Sequence, residues 1–216
     1  MRKQNLRRKH YIAYTKIILP YTITMDNIMD LLNGSLGKEV ISGITKQTGA
    51  SESETQSVVK TAVPTILGAL QRNAGSSEGA QGILNAISGK HDGSILDNIG
   101  GFFGNNDNSD GNNILGHVLG GQKDSVTQAI SGKTGVASGT VSNIMASLAP
   151  ILMGFLGKQS RNQQVGDANG LSSLLGNLTG GLGGNDILSG MLDQNGDGKL
   201  GLDDAAGLLG GLFGKK

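Results

Sequence analysis

The sequence has no cysteine and no tryptophan, and aromatic residues make up only 3% of it. The missing cysteine excludes disulfide bonds, thiolate nucleophiles and zinc–cysteine sites. With so few aromatic rings there is little surface on which bases or sugars could stack, and the core is predicted to consist of aliphatic residues. Proline is scarce, with three residues, but glycine is abundant, with 37. Because glycine opposes regular helices, we expect short helices with frequent glycine stops.

No run of apolar residues approaches the ~20 that a membrane span needs, so no span is predicted. The net charge of +1 is unevenly placed: residues 1–24 hold six basic residues and no acidic one, which leaves 12 basic against 17 acidic residues in the rest. An acidic body does not favour contacts with nucleic-acid phosphates. We therefore expect no nucleic-acid partner.

Residues 1–24 form a basic tail that becomes weakly apolar at Ile17–Leu19. Three interpretations remain open. In the first, the tail is upstream of the true start at Met25, which the abrupt change of composition favours. In the second, it is a secretory signal, although the apolar stretch is short for one. In the third, it is a basic arm that contacts nucleic acid or anionic lipid.

The body of the chain contains an internal repeat. Residues 40–70 align without a gap with residues 126–156, at an offset of 86. Duplication of one unit is the simplest explanation. Positions identical in the two copies are Val40/Val126, Ile44/Ile130, Thr48/Thr134, Gly49/Gly135, Pro64/Pro150, Gly68/Gly154 and Leu70/Leu156.

Each unit is predicted to be a helix, a tight turn and a longer helix. Gly49 suits the left-handed position that ends the first helix, and Ser51 with Glu54 has the spacing of a capping box. An apolar stripe from residue 58 to residue 70 marks the longer helix. Pro64 lies inside this stripe and is expected to kink or break the helix, because proline lacks an N–H and its ring clashes with the preceding turn.

The fold class predicted is all-α: a multi-helical bundle of short, glycine-punctuated helices built from two tandem repeats, followed by a C-terminal helix-loop-helix. The predicted segments are listed in chain order: the basic tail 1–24, the first repeat 25–104, a polar linker 105–113, the second repeat 114–182 and the helix-loop-helix 183–216. In each repeat the long helix is followed by a glycine- and asparagine-rich stretch punctuated by Leu and Ile, at 82–104 and at 170–192. Residues 158–167 are expected to form a second exposed connection.

Residues 193–204 (DQNGDGKLGLDD) have the spacing of a calcium loop. Calcium prefers six to eight oxygen ligands. The predicted ligands are the side chains of Asp193, Asn195, Asp197 and Asp204 and the backbone carbonyl of Lys199, with a glycine at position 6 for the sharp turn. The apolar residues on both sides of the loop predict a short helix before it and another after it. Calcium is thus the one cofactor that the sequence predicts.

Several segments resemble a YidB-like bacterial family, known as domain of unknown function 937. They are MDNIMDLLNG at 25–34, the T-G-A-S-x-x-x-T-x-x-x-V pattern from Thr48, V-P-T-I-L-G-A-L from Val63 and HDGSILDNIGGFFG at 91–104. The resemblance extends from about residue 25 to residue 182 and implies an all-helical bundle. It carries over no catalytic residue. The loop at 193–204 is similar to the calcium loops of dockerins, in which position 12 is also Asp.

Motifs of enzymes are present only in forms that favour structural turns. The G-x-S-x-G match at 75–79 lies between predicted helices, whereas a nucleophile elbow follows a strand. The sequence SGKT at 131–134 falls on the predicted helix stop of the second repeat. His91 and His117 are isolated, and solvated or capping roles are expected for them, with a cap at 91–97.

We expect a non-enzymatic calcium-binding protein with a structural or protein-interaction role, whose partner is another protein or a second copy of the chain. The first alternative is peripheral membrane association through residues 208–216 (LLGGLFGKK), a short apolar segment with two lysines. The second, less favoured, is an enzyme of unknown type. The expected compartment is the cytoplasm.

Overall fold

The computed structural model describes residues 33–104 and 107–179. Within these ranges every regular element is a helix, which confirms the all-α prediction. The α-helices are numbered here in chain order: α1 Ser35–Thr48, α2 Glu52–Ala74, α3 Ser77–Ser88, α4 Ile99–Gly104, α5 Ser109–Leu119, α6 Lys123–Thr134, α7 Ser138–Asn162 and α8 Ala168–Thr179. Short 3₁₀ helices cover Ser94–Asp97 and Gly120–Gln122.

The turn between α1 and α2 follows the sequence prediction closely. Gly49 ends α1 with φ +72°, a conformation that side chains with a Cβ rarely adopt. Ser51 and Glu54 form a complete capping box: the Glu54 N–H donates to Ser51 Oγ, and the Ser51 N–H donates to Glu54 Oε2 at 2.8 Å. The hydrogen bonds from Ser51 hold the pKa of Glu54 below its usual value.

The turn between α6 and α7 has the same backbone but a different cap. Gly135 has φ +74° and ψ +4°, close to the values of +72° and +4° at Gly49. Ala137 occupies the N-cap position and offers no side-chain hydrogen bond to the first turn of α7. Instead, Ser131 Oγ donates to the Val136 carbonyl at 2.6 Å, which ties the end of α6 to the turn.

Pro64 and Pro150 do not break their helices, so of the two expected outcomes, a kink or a break, the break is excluded. Helix α2 is continuous from Glu52 to Ala74 and α7 from Ser138 to Asn162. A proline in a helix interior costs roughly 3 kcal/mol or more. The apolar residues that flank each proline are almost fully buried, and burying one large aliphatic side chain stabilises by about 1.5–3 kcal/mol. Several such side chains offset the cost of the proline.

Helix α7 lies at the centre of the bundle. It packs against α5, α2, α6, α3 and α1 and against the 3₁₀ helix Ser94–Asp97, and a continuous run from residue 144 to residue 157 is buried. By length and composition alone it could cross a membrane, but most of its apolar window is covered by the bundle. The sequence prediction concerned continuous apolar runs, and in α7 Ser, Pro and Gly interrupt the apolar residues.

Two connections are shorter than the sequence predicts. Helix α5 begins at Ser109, inside the predicted linker 105–113. There Asp107 accepts a hydrogen bond from the Ser109 N–H at 2.8 Å, so the polar residues act as a helix start. Helix α7 extends to Asn162, into the stretch 158–167 that was expected to be an exposed connection.

Candidate functional site

The predicted calcium ligands lie outside the described residues. The structure therefore does not show whether Asp193, Asn195, Asp197, Lys199 and Asp204 converge. Within residues 33–104 and 107–179, no group of three or more His, Asp or Glu side chains is placed to hold a metal ion. The candidate site in the described part of the chain is a groove on the surface of the bundle.

The groove exists because two helices share supports without packing on each other. Helices α3 and α5 each pack against α2 and α7, and the substantial helix contacts of the described residues do not include an α3–α5 pair. The space left between them has a volume of about 580 Å³. Met153 of α7 and Leu70 of α2 contribute to its lining from beneath, and both are buried.

Apolar side chains form most of the groove, and the side-chain nitrogen of Asn73 is already hydrogen-bonded. Asn73 Nδ2 donates to the Val118 carbonyl at 2.7 Å and to the Ala69 carbonyl at 3.0 Å, and this links α2 to α5. Ser76 Oγ accepts from the Gly79 N–H at 3.0 Å as the N-cap of α3. Other lining residues are Gly82, Ile83, Ala86 and Ile114, with the exposed polar residues Glu78, Asn113 and His117.

Such a groove suits the apolar side chains of another chain or segment. Its volume lies within the ~300–1,000 Å³ of typical ligand pockets, and the polar atoms of Asn73 and Ser76 are satisfied within the protein. The sequence analysis did not identify it. A usable signal was present in two pairs of apolar residues, Ile83 and Ala86 on α3 and Ile114 and Val118 on α5. With these pairs, the apolar face of each helix is wider than a contact with one neighbouring helix requires.

His91 is buried, and the expectation of a solvated or capping histidine was wrong for its side chain. Its Nε2 lies 3.8 Å from Asp110 Oδ2, and Lys90 Nζ lies 2.7 Å from Asp110 Oδ1. The capping role belongs to Asp92, whose Oδ1 accepts from the Ser94 N–H at 3.0 Å. Arg161 Nη1 donates to Asp92 Oδ2 at 3.0 Å, which attaches the same loop to α7.

Burial lowers the pKa of His91, and the positive charge of Lys90 lowers it further, whereas the carboxylate of Asp110 opposes both effects. The histidine in the unfolded chain therefore binds a proton at a higher pH than the folded one, and stability falls as pH drops below the unfolded pKa of about 6.5. We expect the free energy of unfolding to decrease between about pH 7 and pH 5. In His91→Gln this decrease should be smaller, as urea titrations across the range would show.

The carboxylates whose pKa is lowered by hydrogen bonds, Glu54, Asp92 and Asp107, titrate in a more acidic window. Their stability contribution is present above the unfolded carboxylate pKa and is lost as pH falls below about 4. They do not account for a slope between pH 7 and pH 5. An identical slope for wild type and His91→Gln would contradict the role given to His91.

Comparison with known proteins yields one match. A family model described as "Bacterial protein of unknown function (DUF937)" matches residues 30–159. These residues include α1 to α6 and most of α7, and hence all the walls of the groove. No curated protein matches the sequence, and no solved structure matches it.

Proposed function

Because the chain belongs to the DUF937 family of bacterial proteins, for which no function is known, we propose its function from its own residues. The protein is a non-enzymatic calcium-binding protein with a structural or protein-interaction role. The observation that carries this proposal is the spacing of Asp193, Asn195, Asp197 and Asp204, with a glycine at position 6 of the loop. The YidB-like name remains a prediction.

The chemistry of the loop supports calcium rather than a softer metal. Every predicted side-chain ligand is a carboxylate or amide oxygen, and calcium binds oxygen ligands in flexible coordination. Thiolates are excluded because the chain has no cysteine. Asp204 at position 12 is shorter than the Glu of an EF-hand, so closure by one carboxylate oxygen and a weaker affinity are expected.

The architecture of the described residues supports an interaction role. The described part of the bundle extends to Thr179, and the loop begins 14 residues later in the sequence, at Asp193. The groove between α3 and α5 offers an apolar surface in which the side-chain nitrogen of Asn73 is already hydrogen-bonded. A metal-ordered segment attached to such a bundle provides a way to present apolar residues to a partner, since metal binding contributes folding free energy to marginal elements.

We further propose that the two halves of the chain are copies of one unit. Helix α1 ends at Thr48 and helix α2 begins at Glu52. Adding the sequence offset of 86 gives Thr134, where α6 ends, and Ser138, where α7 begins. The two turns share the same left-handed glycine geometry. The copies differ in their caps and in their burial, because α7 is central and α2 is less so.

Calorimetric titration of the full chain with calcium tests the proposed function. We expect binding in the wild type, and in Asp193→Ala and Asp204→Ala a loss of affinity beyond the ~10–100-fold that an outer-shell change costs. Asp203→Ala is the matched control, since position 11 of the loop supplies no ligand in this pattern. Wild-type affinity near ~0.1–10 μM would fit a sensor, and affinity near ~0.1–1 mM would fit an extracellular structural site.

Two results would count against calcium binding at this loop: no heat at millimolar calcium, or equal losses in all three variants. The alternative of membrane association has a separate test in liposome flotation of the full chain against a truncation after Gly207. The apolar, lysine-containing segment 208–216 predicts that only the full chain floats with anionic liposomes. Equal behaviour of the two proteins removes that alternative.

A further inference from the structure

One face of α7 carries a loop that rests directly on its glycines. The 3₁₀ helix Ser94–Asp97 packs against α7, and a methyl group added at Gly154 would overlap Ile95 Cγ2. One turn further along, Lys158 Nζ lies 3.4 Å from Asp97 Oδ1. Gly154 is therefore a seat: its missing side chain leaves the space that Ile95 fills, and the ion pair fixes the other side of the loop.

The route by which the chain reaches this seat is also defined. Helix α3 ends at Ser88, close to α7, because a methyl group at Gly157 would lie 3.0 Å from the Ile87 carbonyl oxygen and would overlap the His91 carbonyl oxygen. The chain then turns back by one helical turn, from Gly157 to Gly154, and places Ile95 there. The end of the helix and the seat are thus neighbours on one face of α7.

Helix α2 carries corresponding positions at the sequence offset of 86. Gly68 corresponds to Gly154 and Arg72 to Lys158. Position 71 corresponds to Gly157, and a helix approaches here too: Thr179 of α8 donates from Oγ1 to Gln71 Oε1. Thr179 therefore lies against α2 at the position where the end of α3 lies against α7. Gly68 is partly exposed, whereas Gly154 is buried.

The sequence that follows α8 contains the matching occupant. Ile187, Leu188 and Met191 have the spacing of Ile95, Leu96 and Ile99, each set at positions i, i+1 and i+4. Ile95 is seven residues after Ser88 of α3, and Ile187 is eight residues after Thr179 of α8. The intervening residues 180–186 are mostly glycine, which allows the chain to turn.

We propose that residues 187–191 dock on α2 at Gly68, with Ile187 in the place that Ile95 takes on Gly154. Asp193, the first predicted calcium ligand, follows two residues later, so this docking fixes the entrance of the calcium loop to the bundle. The inference rests on the proposed duplication. Only its consequence for the entrance of the calcium loop depends on the proposed calcium site. Docking itself requires no metal ion.

Paired cysteine substitutions test the docking, because the natural chain has no cysteine to interfere. The test pair is Arg72→Cys with Ser189→Cys, and the reference pair is Lys158→Cys with Asp97→Cys, whose side chains lie together in the first half. The off-site pair is Lys133→Cys with Ser189→Cys, since Lys133 is exposed at the end of α6. The full chain is treated with a short bis-maleimide, and intramolecular cross-links are measured by mass spectrometry in calcium and in EDTA.

We expect the test pair to cross-link about as fast as the reference pair and at least ~10-fold faster than the off-site pair, in calcium and in EDTA alike, because docking raises the effective concentration. Adding Gly68→Leu should remove this preference while far-UV circular dichroism shows that the bundle remains folded. Equal rates for test and off-site pairs in either buffer would overturn the proposal. So would a preference that survives Gly68→Leu, or cross-links that form only between two molecules. Failure of calcium binding appears only in the calorimetry and leaves these rates unchanged.

Discussion

Gly111→Ala is expected to destabilise the protein by about 3 kcal/mol or more, at the upper end of the cost of overpacking. A methyl group at this position would overlap the carbonyl oxygen of Ala146 and lie 2.5 Å from its carbonyl carbon. Both are backbone atoms of the central helix α7, so no side-chain rotation can relieve the clash. Thermal unfolding followed by circular dichroism should show a lowering of Tm by roughly 6–12 °C.

The sensitivity of this contact follows from Pro150. Proline has no N–H, so the carbonyl of Ala146, four residues earlier, loses its usual helical donor. Because the position of an added Cβ at Gly111 coincides with that oxygen, one Cα hydrogen of the glycine is directed at it. A Cα–H···O contact is worth about 0.5–1 kcal/mol, and alanine would replace it with an overlap. Ser147 Oγ supports the same crossing by a 3.2 Å hydrogen bond to Asn108 Oδ1.

Gly116→Ala is the matched control for Gly111→Ala. Gly116 is on the same helix, α5, and is exposed, and an added methyl group would meet nothing within 4 Å. Its substitution should stabilise the protein by up to about 1 kcal/mol, since alanine favours a helix interior over glycine. Destabilisation of equal size in both variants would show that helix propensity or local structure, and not the contact with Ala146, decides the outcome.

The local turns could be predicted because their causes are local. A left-handed glycine after Thr48 and a Ser51–Glu54 capping box depend on residues within one turn, and both are present. The burial of His91 could not be predicted in this way. Its position depends on a loop folded over Gly157, and the only sequence signal was the glycine spacing of Gly154 and Gly157 within an apolar helix.

Pro64 does not break its helix, because the cost of a proline is local and the compensation is not. The residues that offset it, such as Val63 and Leu67, gain their burial from helices distant in sequence. The groove was missed for a similar reason, since it depends on α3 and α5 sharing supports without touching each other. The calcium loop, predicted from spacing alone, lies outside the described residues and stays a prediction.

The two halves of the chain differ in how deeply their long helices are buried, and the sequence repeat does not predict this difference. Sequence identity at seven aligned positions suggests equivalent helices, yet α7 has a continuous buried run from residue 144 to residue 157, whereas exposed and partly exposed positions interrupt the buried residues of α2. A central helix of this kind has the composition of a membrane span. A core helix differs from a membrane-spanning helix in that its side chains contribute to the stability of the bundle in water.

Leu148→Ala should therefore have the second large effect. Leu148 is at the middle of α7 and is 0% exposed, and truncation of a fully buried leucine costs about 2–5 kcal/mol, because burial is lost and a cavity remains. Urea unfolding of the full chain in aqueous buffer should show this loss as a lower midpoint with an unchanged slope.

Leu36→Ala on α1 provides the same chemical change at a partly buried position. Its cost should be less than half that of Leu148→Ala, since fewer contacts are removed and solvent can fill the space. If the two variants were equally stable, or if Leu148→Ala left the aqueous midpoint unchanged, α7 would not be the core of the bundle. A midpoint lowered mainly by Leu148→Ala means that the apolar character of α7 serves internal packing.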